Sequence, residues 1–158
     1  MDWLPELVKL EDYGGNWERF IEEVYNIFKL DFIKNKPDSF KGKRFGIKRH
    51  PLLNDKEATF WHITSEGKIE TERIPELRRC ERIRWPRAII DNYTNEKILC
   101  WENTRGTEKR IVMWFRERDY VVVLADRIDY ILLWTAYCVK YNHTRIKLQK
   151  EYDSSIKC

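Results

Sequence analysis

Residues 120 to 139, YVVVLADRIDYILLWTAYCV, constrain the fold more than any other stretch of this chain. Tyr120 to Leu124 is almost purely β-branched, Ala125 to Asp129 interrupts it with charge, and Tyr130 to Val139 resumes it. Two adjacent strands in a hairpin are the natural reading, because branched side chains pack well on a pleated surface and the charged break marks a turn. Side chains alternate along a strand. Ile131, Leu133, Thr135, Tyr137 and Val139 should therefore share one face, and Tyr130, Leu132, Trp134, Ala136 and Cys138 the other. Beyond the hairpin, Asn142 or Thr144 is placed to cap a short basic helix through Glu151 that carries Arg145, Lys147 and Lys150, with Tyr152 just after it.

The remaining elements follow from periodicity. Pro5 suits a first helical position, with an apolar stripe of Leu4, Leu7, Val8 and Tyr13 that Gly14 and Gly15 end. Asn16 caps a second helix, in which Trp17, Phe20, Ile21, Val24, Tyr25, Phe28 and Phe32 recur at helical spacing and form a broad apolar face. Lys34 to Lys43 reads as a loop, Lys43 to Lys48 as a strand, and Ala58 to Ser65, ATFWHITS, as a second strand. Pro75 opens an arginine-rich helix that Pro86 ends or kinks. Lys97 to Glu102 and Arg110 to Phe115 are two strands joined around Gly106. The expected fold class is α+β: N-terminal helices packed on a curved, mostly antiparallel sheet of about four to five strands, with a short C-terminal helix. The chain of 158 residues is expected to be a single domain, with residues 1–33 as a helical N-terminal lobe.

Charge is unevenly placed. Residues 1 to 23 carry seven acids against Lys9 and Arg19. Residues 34 to 49 carry seven cations against Asp38, and residues 78 to 87 carry five arginines against Glu81. An acidic N-terminal lobe on a basic body suits a polyanionic partner. Cys80, Cys100, Cys138 and Cys158 form no C-x-x-C pair, so neither a zinc site nor a disulfide framework is expected. No apolar run reaches the roughly 20 residues of a membrane span. The expected location is a reducing cytoplasm, and no cofactor or metal is expected.

His62 is the histidine of interest, beside hydroxyls and just before the arginine-rich stretch. Cutting RNA without a metal needs a group to deprotonate the ribose 2′-hydroxyl, one to protonate the departing oxygen, and cations around the phosphorane. His62 supplies acid or base, Arg127, Arg145 and Lys147 supply cations, and Thr135 and Tyr137 supply hydroxyls. Trp85, Trp101 and Tyr152 are candidates for stacking an unpaired base.

The segments DYVVVLADRIDYILLWTAY, RIKLQKEY, FWHITSEG and RRCERIRWP together resemble the phage-borne members of the barnase, EndoU, colicin and RelE-like (BECR) nuclease superfamily, over about residues 44–152. The resemblance implies a metal-independent endoribonuclease of toxin type that leaves 2′,3′-cyclic phosphate and 5′-hydroxyl ends. It implies RNA, such as transfer or ribosomal RNA, as substrate, and an antitoxin or immunity protein as partner. The implied catalytic set is His62, Arg127, Thr135, Tyr137 and Lys147. Arg78, Arg79, Arg82, Tyr130 and Arg145 would bind substrate. The alternatives are a non-catalytic nucleic-acid-binding module and a phage-encoded interaction or inhibitor protein.

Overall fold

A computed structural model describes residues 1–158. A 3₁₀ turn at Leu10–Tyr13 leads to α1 (Trp17–Lys29), which runs into a π-helical turn at Leu30–Lys34. A tight hairpin joins β1 (Ser39–Phe40) to β2 (Lys43–Ile47). Next come α2 (Ala58–Thr64), the short strands β3 (Ser65–Glu66) and β4 (Ile74–Pro75), α3 (Leu77–Glu81) and α4 (Trp85–Asp91). The chain then forms a meander of β5 (Ile98–Arg105), β6 (Glu108–Phe115), β7 (Tyr120–Asp126) and β8 (Tyr130–Cys138), and closes with α5 (Asn142–Ser154). The fold is α+β. Its sheet has six strands in the order β1-β2-β8-β7-β6-β5, more than expected, and it is mixed. Short connections make β5 to β8 antiparallel, but β2 inserts parallel to β8, with Arg44 opposite Tyr130 and Ile47 opposite Leu133.

One face of the sheet carries the main core. α1 lays Phe20, Ile21, Val24, Ile27 and Phe28 onto it, as its periodicity predicts, and Asn16 accepts a hydrogen bond from the Arg19 N–H as its cap. Burying those five side chains is worth roughly 10 kcal/mol before entropy is subtracted. α2, α3, α4 and the turn between the last two add Phe60, Ile63, Cys80, Ile83, Trp85 and Ile89 to the same cluster. The N-terminal lobe and the sheet therefore share one core. The opposite face holds a second cluster of Leu99, Trp101, Val112, Trp114, Val121, Val123 and Val139, which Leu148 of α5 partly covers.

Several expectations are corrected. ATFWHIT (Ala58–Thr64) is a helix whose every residue is buried, so its side chains show no alternation, and Ser65 begins β3. Residues 5 to 9 form no helix, although Leu4, Leu7 and Val8 still pack on the core. Pro75 lies in β4, and the helix begins at Leu77 with Glu76 as its cap. Pro86 sits in the first turn of α4, where its missing N–H costs nothing. Neither Asn142 nor Thr144 caps α5; Tyr141 occupies that position without a side-chain bond. Cys100 and Cys158 form a disulfide across 58 residues, because the tail folds back on β5: Glu102 N–H bonds to Ile156 O and Cys158 N–H to Cys100 O. No helix is long and apolar enough to cross a membrane.

A bulge between Val123 and Leu124 of β7 and their partners on β8 alters the expected faces. Val123 pairs with Thr135 while Leu124 pairs with Leu133, leaving Trp134 as the extra residue. Ile131 and Leu133 thus join the main core together with Ala136, whereas Trp134, Tyr137 and Val139 belong to the second face. The expected grouping of Ile131 and Leu133 with Tyr137 and Val139 fails at this point.

Candidate functional site around His62 and Trp134

β2 stops at Ile47, so the next stretch of β8 has no strand beside it, and α2 takes that place. Thr59 Oγ1 lies 3.4 Å from Leu133 O, His62 Nδ1 lies 3.2 Å from Trp134 O, and Thr135 Oγ1 donates to His62 O at 2.9 Å. Backbone groups that a strand would have satisfied are satisfied by side chains of a helix. His62 is held at both ring nitrogens, for Nε2 lies 2.6 Å from Oε1 of Glu70.

A carbonyl can only accept, so the Trp134 contact is a hydrogen bond when Nδ1 carries the ring proton, and the Glu70 contact is one when Nε2 carries it. The neutral ring meets one of the two at a time and the imidazolium meets both. His62 and Glu70 form an acid–base pair at the mouth of a cleft. Burial pushes His62 below its ordinary value, and the Glu70 hydrogen bond and charge oppose that. The His62 side chain is 7% exposed and Glu70 38%, so solvent reaches the pair from the Glu70 side.

The cleft is lined by His62, Glu66, Lys68, Glu70, Arg73, Arg79, Trp134 and Thr135, with a volume of about 360 Å³. Arg73 and Arg79 are largely committed to the backbone: both donate to Ser65 O and His62 O, and Arg73 also to Gly67 O. They neutralise the carbonyl end of α2. Burial lowers the pKa of Arg73.

Trp134 is the hub of the cationic side. Its ring is 5.2 Å from the His62 ring in a T-shaped arrangement. Lys48 Nζ lies 5.6 Å from its centroid, and the Arg110 and Arg127 guanidinium carbons each lie 5.8 Å from it. Glu108 pairs with Arg127 at 2.8 Å and Arg110 at 2.9 Å; the Arg110 hydrogen bond holds its carboxyl below the usual range. Lys48 has no carboxylate partner, while one Glu108 is shared by two arginines, leaving the patch with net positive charge.

The predicted residues divide. His62, Thr135 and Arg79 line one cleft, and Arg127 reaches it through Trp134. Thr135 cannot donate to a phosphate oxygen while its proton is given to His62 O, so it positions α2. Tyr137 lies in the second cluster, where burial raises its hydroxyl pKa. Lys147 is exposed on α5, which packs on β5, three strands from β8, or roughly 14 Å by strand spacing. Arg145 pairs with Asp119 and lies over Trp114 in a separate cleft. Arg78 pairs with Glu76 at 3.6 Å, and Arg82 lies over Trp85 and pairs with Glu81. Tyr130 is exposed at the start of β8 beneath Arg44. Trp85 and Trp101 are buried, with indole N–H groups given to Pro5 O and Glu151. Neither is a stacking platform. Tyr152 packs edge-on against Trp101 at 5.6 Å.

Glu70, Arg73, Arg110 and Trp134 are the site residues that sequence reasoning missed, while Lys48 was singled out only as one cation of the basic 34 to 49 stretch. His62 lies in α2 and Glu70 beyond β3 in a separate turn, so no single period relates them, and the bulge puts Trp134 on the face of Tyr137 and Val139 rather than with Ala136 and Cys138. Comparison of the chain with protein-family models, with curated proteins and with solved structures finds no match.

Proposed function

We propose that this chain binds single-stranded RNA over Trp134 and cleaves it without a metal, using His62 and Glu70 as its acid–base pair. The observation that carries the reading is the convergence of that acid–base pair with Lys48, Arg110 and Arg127 around one aromatic ring. A base stacks on Trp134, whose π-face accepts any base. Glu70, the more exposed partner, takes the 2′-hydroxyl proton, and the His62 imidazolium protonates the leaving 5′-oxygen. Lys48, Arg110 and Arg127 stabilise the phosphorane charge. This reading keeps His62 and Arg127 of the expected set, gives Thr135 and Arg79 positioning roles on α2, and leaves Tyr137, Lys147 and Arg145 outside the chemistry.

The test is incubation of the protein with total RNA and a transfer-RNA pool in excess EDTA, alongside His62→Ala and Glu70→Gln. Fragments ending in 2′,3′-cyclic phosphate, lost in both variants, support the proposal; intact RNA with the wild-type chain sinks it. The low exposure of His62 and the use of Arg73 and Arg79 on carbonyls favour one second reading, RNA binding without cleavage. That reading expects salt-sensitive retention of intact RNA, with a log–log slope falling by about 0.7 for each phosphate contact removed.

A further inference from the structure

Gly46 stands in the middle of β2, in the sequence Lys43-Arg44-Phe45-Gly46-Ile47. A glycine inside a strand costs roughly 0.5–1 kcal/mol, and two structural reasons usually explain one. The first is a left-handed backbone, which Gly46 lacks: its φ is not among the positive values. The second is a close neighbour, and a Cβ built on Gly46 meets nothing within 4 Å. Gly46 is one of the residues that line a cleft of about 270 Å³, with Phe32, Lys36, Arg44, Phe45, Ile47, Arg49 and Tyr130.

That lining holds three cations and no carboxylate. Lys36 and Arg44 have no ion-pair partner, and Arg49 has a single long contact, 3.7 Å to Glu57. The Tyr130 ring is 37% exposed, and Arg44 lies 5.9 Å from its centroid, so a planar group and a guanidinium share one wall. On the outer side of β2, β1 pairs only as far as Arg44, which leaves the strand edge at Phe45 to Ile47 open beside the cleft. The volume sits at the small end of ligand sites, suited to one nucleotide rather than to a peptide or a duplex.

We infer that this cleft binds the phosphate and ring of a single nucleotide, either free or at the end of an RNA strand. Arg44, Arg49 and Lys36 hold the phosphate, Tyr130 stacks the ring, and the missing side chain at Gly46 lets the ligand lie against the backbone. Tyr130 and Trp134 are four residues apart on β8, roughly 13 Å, so a strand end held here lies within a few nucleotides of His62. The inference does not depend on cleavage.

Isothermal titration tests it with inorganic phosphate, adenosine, AMP and UMP, and with one short oligoribonucleotide carrying either a 5′-phosphate or a 5′-hydroxyl. The variants are Gly46→Val, which fills the open space with a residue that strands favour, and Arg44→Gln; Lys97→Gln on the far side of the sheet is the control. AMP or UMP binding more tightly than phosphate or adenosine, weakened about tenfold or more in both variants and unchanged in the control, supports the inference. If only the phosphorylated oligonucleotide shows that pattern, the source is a strand end; if mononucleotides show it, the source is free nucleotide. Binding of nucleotide or oligonucleotide that survives both variants, binding of neither tighter than phosphate, or no binding by any probe overturns it. Should Gly46→Val fail to fold, Arg44→Gln decides alone. RNA cleavage without nucleotide binding overturns this inference and leaves the nuclease reading standing; nucleotide binding without cleavage does the reverse.

Discussion

Tyr120→Phe should make this protein more stable. The Tyr120 side chain is fully buried at the start of β7, with the Trp85 ring 5.4 Å away and edge-on, and its hydroxyl has no hydrogen-bond partner. An unpaired buried hydroxyl costs about 1–3 kcal/mol in lost hydration. Deleting the oxygen leaves a void of roughly 10 Å³, which at about 24 cal/mol per Å³ costs about 0.2 kcal/mol. The ring contacts remain. The net expectation is a gain of about 1 kcal/mol or more, or about 2–4 °C in Tm for a chain of this size, measured by urea and thermal unfolding. A second readout is alkaline unfolding. Burial raises the Tyr120 pKa well above 10, and an acid whose folded pKa is raised contributes stability that is lost as pH climbs past its unfolded value. Wild type should therefore lose stability above pH 10 more steeply than the variant. A Tyr120→Phe protein that is less stable by about 1 kcal/mol, with an unchanged alkaline slope, would refute the reasoning and show that the hydroxyl is hydrogen-bonded through a buried water.

Other outcomes follow from the same structure. Burial raises Asp31 to about 6, so its contribution is lost as pH rises from 4 towards 6, and Asp31→Asn should flatten that part of the stability–pH curve and gain about 1 kcal/mol at pH 7 after solvent screening. His62 has a lowered folded pKa, so its contribution is present above about 6.5 and lost as pH falls. Glu70→Gln removes the carboxylate that opposes the shift, and NMR titration of the imidazole should find a still lower pKa; an unchanged value would show that the pair is not formed in solution. Cys158→Ser opens a loop spanning 58 residues, which chain entropy values at about 4 kcal/mol, and should lower the urea midpoint accordingly; an unchanged midpoint would mean that the bond is absent in the folded protein. Trp134→Ala should weaken retention of single-stranded RNA by about 1–3 kcal/mol in a filter-binding assay, whereas Trp101→Phe should leave it unchanged if the protein stays folded.

The parts of the fold that sequence revealed were those with a clean period. α1 repeats its apolar residues over more than three turns and carries its own cap, and the β7–β8 hairpin is a long branched run with a charged break, so both were legible. α2 was not, because seven consecutive buried residues erase the difference between a period of two and one of 3.6, and Thr, Phe, Trp and Ile favour strands. The parallel pairing of β2 with β8 has no local signal. Of the site, His62, Thr135, Arg79 and Arg127 could be named from residue type and neighbourhood. Glu70 and Trp134 could not, since one depends on how an irregular loop folds back and the other on a single extra residue in a strand.

The parallel β2–β8 pair also sets an order of events during synthesis. Chains emerge from the ribosome N-terminus first, so α1, β2 and α2 are exposed long before Tyr130 to Leu133 exist to receive them. Phe20, Val24, Phe28, Phe45 and Phe60 then wait without the sheet that will cover them. Pairs so distant in sequence slow folding, because the loop between them must close before any contact rewards it. The nascent segment through α2 is therefore the part that holdase chaperones should engage, and its release should coincide with emergence of β8.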